Sequence, residues 1–252
     1  MALPSSGNTL VVIPARMAST RLPGKPLADI CGTPMIVHVL HRAQEAALGP
    51  VIVACADEEI ARAVEAAGGH AVMTDPDLPS GSDRVFAALR IADPEGRIDY
   101  VVNLQGDLPT VAPEIIRAAI RPLADPAVDI GTPVAFTCSV EEEDSESVVK
   151  AVADLPSGAT TARATGFVRR MPAGAPPPYL HHIGIYAYRR EALERFVSLP
   201  ESPSEREHRL EQLRALDAGM RIDVALVDSS PFGVDTPADL ERARSVIAAT
   251  RA

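Results

Sequence analysis

The residues best suited to chemistry begin in the run IPARMASTRLPGKPL at positions 13–27, where Arg16, Arg21 and Lys25 occur with no acid among them. Guanidinium groups grip phosphate oxygens in pairs, and a lysine adds a mobile point charge. The small residues Ala15, Ser19 and Gly24 leave room for backbone amides to approach the same ligand. This spacing predicts an anion-binding loop. A solvated basic surface loop is the plainer reading. The run sits between an apolar stretch and a helical pattern, however, which is where open α/β sheets bind ligands. It also runs against the character of the chain, whose formal charge is −10.

Two acids supply the counterpart. VVNLQGDLP at 101–109 ends an apolar run in Gln105, Gly106 and Asp107, and PFGVDTPADLERAR at 231–244 places Asp235 just before a helical pattern. A carboxylate beside a triphosphate is repulsive unless a hard cation lies between them, and Mg²⁺ is commonly held by one or two carboxylates plus substrate phosphates. Asp107 and Asp235 are therefore the predicted metal ligands. Each has a structural alternative: Asp107 as the cap of a turn, and Asp235 or Thr236 as the N-cap of a helix starting near Pro237. In PSGSDRV at 79–85, Ser80, Gly81 and Ser82 precede a helix that carries Arg84 in its first turn. A cation there opposes the helix dipole, which points to an anionic ligand or else to a capped surface helix. The chain contains no G-x-x-x-x-G-K-[ST] and no G-x-G-x-x-G, so neither a P-loop nor an NAD-type dinucleotide loop is supported.

These residues need a frame to bring them together. TLVVIPA, VIVACA and YVVNLQ are short, β-branched and unalternated, as strands buried on both faces are, and HAVMT reads as a further strand. PMIVHVLHRAQEAAL, EEIARAVEAA and SDRVFAALRIA carry apolar residues at helical spacing. The β-α-β-α order predicts an α/β fold with a mixed, mostly parallel sheet and helices on both faces. Further along, IGTPVAFT, HHIGIYAY and RIDVALV read as strands, some antiparallel; REALERFV, EREHRLEQLRALDA and PADLERARSVIAA read as helices. Residues 154–178 read as a long loop around one short strand, and the acidic run EEEDSE at 141–146 as a solvated turn. A single domain over 1–252 is expected, with about 130–200 as an arm within it.

Composition narrows the class. An apolar fraction of 46% and a charged fraction of 23% suit a soluble globular protein, and a pI near 5.1 argues against a general nucleic-acid surface. Cys31, Cys55 and Cys138 form no Cys-x-x-Cys pair, so zinc or redox chemistry is not expected and a reducing cytoplasm is. No apolar stretch is long enough to span a membrane, and the amino terminus reads as a first strand rather than a signal peptide.

Taken in order, PARMASTRLPGKPL, SGSDR, VNLQGD, HHIGIYAYRR, LEQLRALDAGMRI and GVDTPADLERAR resemble the 3-deoxy-manno-octulosonate cytidylyltransferase family, the CMP-Kdo synthetases, from about Val11 to Arg244. The resemblance implies a Rossmann-like nucleotidyltransferase fold. It also implies a homodimer and a Mg²⁺-dependent reaction of CTP with the sugar acid Kdo that feeds lipopolysaccharide synthesis. By the same resemblance Arg16, Arg21 and Lys25 neutralise the triphosphate, Asp107 and Asp235 hold Mg²⁺, and Arg84 with the backbone around Ala15 and Ser80 holds the nucleotide. The sugar acid falls to Gln105, Arg169, His182, Glu211 and Gln212. Three departures stand out: Leu108 where the family has Glu after Gln-Gly-Asp, Gly166-Phe167-Val168-Arg169 in place of an aromatic followed by Phe-Ser-Arg, and His208 ahead of LEQLR. The middle segment leaves Arg163 as a rival to Arg169. A related synthetase acting on sialic acid or 8-amino-Kdo, and a non-catalytic nucleotide-binding homologue, are the alternatives.

Overall fold

The computed structural model describes residues 4–137, 145–171 and 177–251. Cys138, residues 141–144 of the acidic run and residues 172–176 of the long loop lie outside them. The strands are β1 (Thr9–Ala15), β2 (Asp29–Ile30), β3 (Thr33–Pro34), β4 (Val51–Cys55), β5 (His70–Met73), β6 (Tyr100–Asn103), β7 (Ile130–Thr137), β8 (Lys150–Ala153), β9 (Thr161–Val168), β10 (Tyr179–His182), β11 (Tyr186–Arg189) and β12 (Ile222–Val227). The helices are α1 (Met35–Glu45), α2 (Glu58–Ala66), α3 (Gly81–Ala92), α4 (Pro113–Ile120), α5 (Arg190–Ser198), α6 (Pro203–His208), α7 (Gln212–Asp217) and α8 (Pro237–Arg251). The chain divides into two compact units, one of Ser5–Ile116 with the segment from Pro231 onward, the other of Arg117–Ser230. They are called here the parallel and the antiparallel unit.

In the parallel unit the strand order is β6-β1-β4-β5, every pair parallel. Val11, Val12 and Ile13 of β1 are fully buried, as are Val101 and Val102 of β6, which accounts for the unalternated apolar runs. From β1 the chain steps outward through α1 to β4 and through α2 to β5, then returns through α3 to β6 on the other side of β1. Right-handed crossovers place α1 and α2 on one face and α3 on the opposite one. The reversal makes a switch point between the carboxyl ends of β1 and β6, where open α/β sheets bind ligands. The basic loop leaves β1 there and Gln105-Gly106-Asp107 leaves β6 there.

The carboxyl-terminal segment returns to this unit. Val234, Leu240, Ala243 and Ile247 bury against Ile30 and Met35, with Leu22 of the basic loop packed on the same cluster. The β2–β3 hairpin turns through Cys31 (φ 53°) and Gly32 (φ 83°), the paired left-handed residues of a tight hairpin, and Arg244 of α8 donates to the Asp29 carbonyl at 2.7 Å.

The antiparallel unit is built differently. β10 pairs with both β8 and β7, so β10-β8-β9-β12-β7 closes into a hydrogen-bonded ring, with β11 continuing along the free end of β7. Only β7–β12 is parallel; the other ladders are antiparallel. The mixed character expected from the sequence is thus parallel in one unit and mainly antiparallel in the other.

Three expectations change here. The 154–178 stretch holds a full eight-residue strand, β9, paired on both edges. Its Thr, Ala and Gly residues give little hydrophobic contrast, so its period of two was invisible. HHIGIYAY is two strands, because the chain leaves β10 at Ile183 to restart at Tyr186. EREHRLEQLRALDA is two short helices, broken where Arg209 adopts a left-handed conformation (φ 54°). EREHR carries no apolar residue, so no hydrophobic period marked where the first helix stops and the second begins.

Candidate functional site

A cleft of about 450 Å³ opens at the β1/β6 switch point and is lined entirely by the parallel unit. Ala15, Arg16, Ser19, Arg21 and Lys25 reach it from the basic loop; Ser80 and Arg84 from the start of α3; Gln105 and Asp107 from the end of β6; and Asp235 from the turn before α8. All the nucleotide and metal candidates, together with Gln105 from the sugar set, therefore line one cavity.

At its centre the Lys25 ammonium donates to Asp107 Oδ2 at 2.8 Å and to Asp235 Oδ1 at 3.0 Å. Arg21 Nη2 lies 3.2 Å from the other Asp235 oxygen. Burial works against the Lys25 charge, but Asp107 and then Asp235 outweigh it, and the Lys25 pKa is raised. The fit to a divalent ion is a matter of donor set. Two carboxylates from different segments already converge on one cation, which suits Mg²⁺ completed by phosphate oxygens. Among the described residues no cluster of three or more His, Cys, Asp or Glu offers a dedicated all-protein metal site.

Backbone contacts fix these carboxylates. Val234 N donates to the Asp107 carbonyl at 2.9 Å, tying the two acidic turns together. Gly106 lies so close to β1 that a Cβ there would meet the Pro14 carbonyl oxygen at 3.0 Å. Thr236 is the N-cap of α8, accepting from Asp239 N at 3.2 Å, while Asp239 Oδ2 accepts from Asp235 N and Thr236 N at 3.2 and 2.9 Å. Asp235 is thus spared the capping role and faces the cleft. Asp239 and Asp57, which accepts from Met17 N at 2.8 Å and anchors the start of the basic loop, are positioning residues that the sequence reading missed. Thr236-x-x-Asp239 carries a capping-box spacing that would have flagged Asp239; Asp57 carries no local signal.

Ser80 caps α3, its Oγ accepting from Asp83 N at 3.2 Å. Arg84 is buried and donates to Thr74 Oγ1 and to the Asp75 and Pro76 carbonyls at 2.6, 3.0 and 3.2 Å. Burial, and then the positive charge of Arg16, lowers its pKa. Its guanidinium therefore shapes the 74–76 wall of the cleft. The nearby Cys55 thiol is pushed up to about 12, chiefly by burial, so it is no nucleophile.

The other sugar candidates lie in the antiparallel unit. His182 is buried, shares a 3.0 Å hydrogen bond with Thr132 Oγ1 and packs edge-on against Phe167 at 4.9 Å. Burial, then His181, pushes its pKa down to about 3, so the ring is neutral. Tyr186 also packs on His182, at 5.4 Å, and its pKa is raised by burial, by Tyr188 and by Glu211. Gln212 and the Oε1 atom of Glu211 are buried at the start of α7. Arg169 donates to the carbonyls of Glu146, His208 and Arg209 at 2.6, 3.0 and 2.9 Å, so it braces the break between α6 and α7. Arg163 stands exposed on β9.

A cytidylyltransferase family model matches residues 10–222. A 3-deoxy-manno-octulosonate cytidylyltransferase of Paramagnetospirillum magneticum is 61% identical over 241 residues, covering 95% of this chain and 98% of its own. The chain belongs to the 3-deoxy-manno-octulosonate cytidylyltransferase family. A second such relative, from Parvibaculum lavamentivorans, is 61% identical over 96% of this chain and 94% of its own. A solved CMP:2-keto-3-deoxy-manno-octonic acid synthetase complexed with CTP is 40% identical, with a TM-score of 0.86 over 96% of this chain and 99% of that one. A 4-diphosphocytidyl-2C-methyl-D-erythritol synthase of Anaerococcus prevotii, 12% identical with a TM-score of 0.62 over 96% of this chain and 99% of that one, shares the fold. This cytidylyltransferase is thus an α/β protein of the nucleotidyltransferase fold.

Proposed function

We propose that the protein transfers the cytidylyl group of CTP to 3-deoxy-manno-octulosonate (Kdo), releasing pyrophosphate. The observation that carries this reading is the convergence of Arg21, Lys25, Asp107 and Asp235 at one switch-point cleft, in a chain some 60% identical to enzymes of that name. The sugar hydroxyl attacks the α-phosphorus in line and the bond to the pyrophosphate oxygen breaks. Such transfers depend on positioning and on neutralising charge.

Arg16, Arg21 and Lys25 supply positive charge to the triphosphate and to the departing pyrophosphate. Asp107 and Asp235 would hold Mg²⁺, which supplies further neutralisation and lowers the pKa of the attacking hydroxyl. Arg84 and Ser80 keep the wall beside the nucleotide in place. Gln105, His182, Glu211 and Gln212 are assigned to the sugar acid; a neutral His182 suits hydroxyl groups better than the carboxylate. Arg169 belongs to the same set, with its donors already on carbonyls, and the exposed Arg163 is the freer cation for a carboxylate. A cytoplasmic homodimer serving lipopolysaccharide synthesis completes the proposal. No described helix is long and apolar enough to cross a membrane.

The test is pyrophosphate release with four nucleotides crossed against Kdo, sialic acid and 8-amino-Kdo. CTP with Kdo and Mg²⁺ should turn over alone. Turnover with another sugar acid and none with Kdo would overturn the substrate assignment while leaving the reaction class.

A further inference from the structure

The two carboxylates assigned to Mg²⁺ are not waiting as an open anionic pair. Lys25 Nζ stands between them, at 2.8 Å from Asp107 and 3.0 Å from Asp235, and Arg21 takes the remaining Asp235 oxygen at 3.2 Å. Two acids and two bases make a neutral cluster. A divalent ion approaching it would gain no net attraction and would meet an ammonium in the position it needs. A triphosphate changes this balance, because it brings several negative charges to the same cleft. Both cations belong to the loop that lines it, and both have the reach to move. Lys25 has a four-carbon stem with three rotatable donors, and Arg21 is 66% exposed. The carboxylates, by contrast, are fixed by the Val234–Asp107 backbone bond and by the Asp239 clamp.

We infer that Lys25 is a resident cation in the nucleotide-free enzyme, and that the triphosphate, by drawing Lys25 and Arg21 onto its own oxygens, opens the Asp107–Asp235 pair to a divalent ion. Nucleotide and metal binding are then coupled, and by linkage each tightens the other by the same factor. The exchange keeps charges paired before and after: carboxylate with ammonium when the cleft is empty, carboxylate with metal and phosphate with ammonium when it is filled. It rests on the reading that Asp107 and Asp235 are the metal ligands.

Mn²⁺ alone, followed by electron paramagnetic resonance on the nucleotide-free protein, tests the exchange without any turnover. Wild type should bind Mn²⁺ weakly. Lys25→Met should bind it at least tenfold more tightly, and Mn²⁺ alone should raise its melting temperature where it leaves wild type unmoved. Lys25→Arg, which keeps a cation in place, should stay close to wild type. Arg21→Met, at an exposed position, should tighten Mn²⁺ about two- to threefold; it serves as the test if Lys25→Met does not fold. No gain in either variant overturns the inference. Mn²⁺ binding with a non-hydrolysable CTP analogue in Asp107→Asn tests the underlying reading separately. Protein-bound Mn²⁺ at least tenfold weaker than wild type there, beside no gain in Lys25→Met, sinks the exchange alone; an affinity equal to wild type sinks the ligand assignment itself.

Discussion

In the antiparallel unit, Arg189 is buried with its guanidinium donating to the carbonyls of Leu123, Asp125 and Val128, all at 2.8 Å. Lys150 is fully buried and donates to the Ser145 and Arg169 carbonyls at 3.0 and 2.7 Å, and Glu205 and Arg214 form a buried bidentate pair. In the parallel unit, Arg21 and Lys25 stand in an open cleft and meet carboxylates that solvent also reaches. The same residue types do opposite work. A backbone carbonyl has no other partner to go to, so a buried cation that satisfies it is locked in place. A carboxylate and an ammonium at a wet cleft can each be exchanged for a ligand at little cost.

The sharpest way to break this contrast is to remove one charge from each side. Asp107→Asn should cut the pyrophosphate-release rate about 10²–10³-fold while the melting temperature stays near wild type. A large loss of stability instead would mean that the cleft ion pairs are structural after all. Arg189→Met should do the reverse. Three buried carbonyls left without their donor should cost about 2–4 kcal/mol in denaturant unfolding, with kcat of the folded fraction unchanged.

The smallest expected effect concerns His182. Its folded pKa is depressed to about 3 from 6.5. Below 6.5 the unfolded chain takes up a proton that the folded chain refuses, so this contribution to stability is complete above 6.5 and is lost as pH falls toward 3. His182→Gln should flatten the slope of stability against pH across that window, whatever it does to the absolute value. An unchanged slope would mean the ring is protonated inside the fold.

Much of the parallel unit was legible because its signals are local. β1, β4 and β6 announce themselves as apolar β-branched runs, α1 to α3 by their period, and the anion loop by three cations free of acids. The antiparallel unit was read less well. β8 and β9 are made mostly of small and polar residues whose burial depends on neighbours far along the chain, and the α6–α7 break lies beside a polar stretch, EREHR, that carries no apolar period to interrupt. Arg84 shows the limit at a single residue. Its place in the first turn of α3 pointed to a ligand; the folded chain sets it in the cleft lining and adds partners that no local pattern encodes, Thr74, Asp75 and Pro76.

The sequence by itself determined the chemical inventory: a basic loop after the first strand, one acid at the end of a later apolar run and another just before the last helical pattern, and motifs specific enough to name a family. Tertiary structure alone decided which charges meet. Lys25 is 82 residues from Asp107 and 210 from Asp235. Nothing in local propensity encodes separations of that size. They close because β6 returns to lie beside β1, and because α8 and the turn before it bury Val234, Leu240 and Ile247 against the same core that carries the basic loop. The inventory is a property of residues, whereas the neutral cluster at the cleft is a property of strand order and packing.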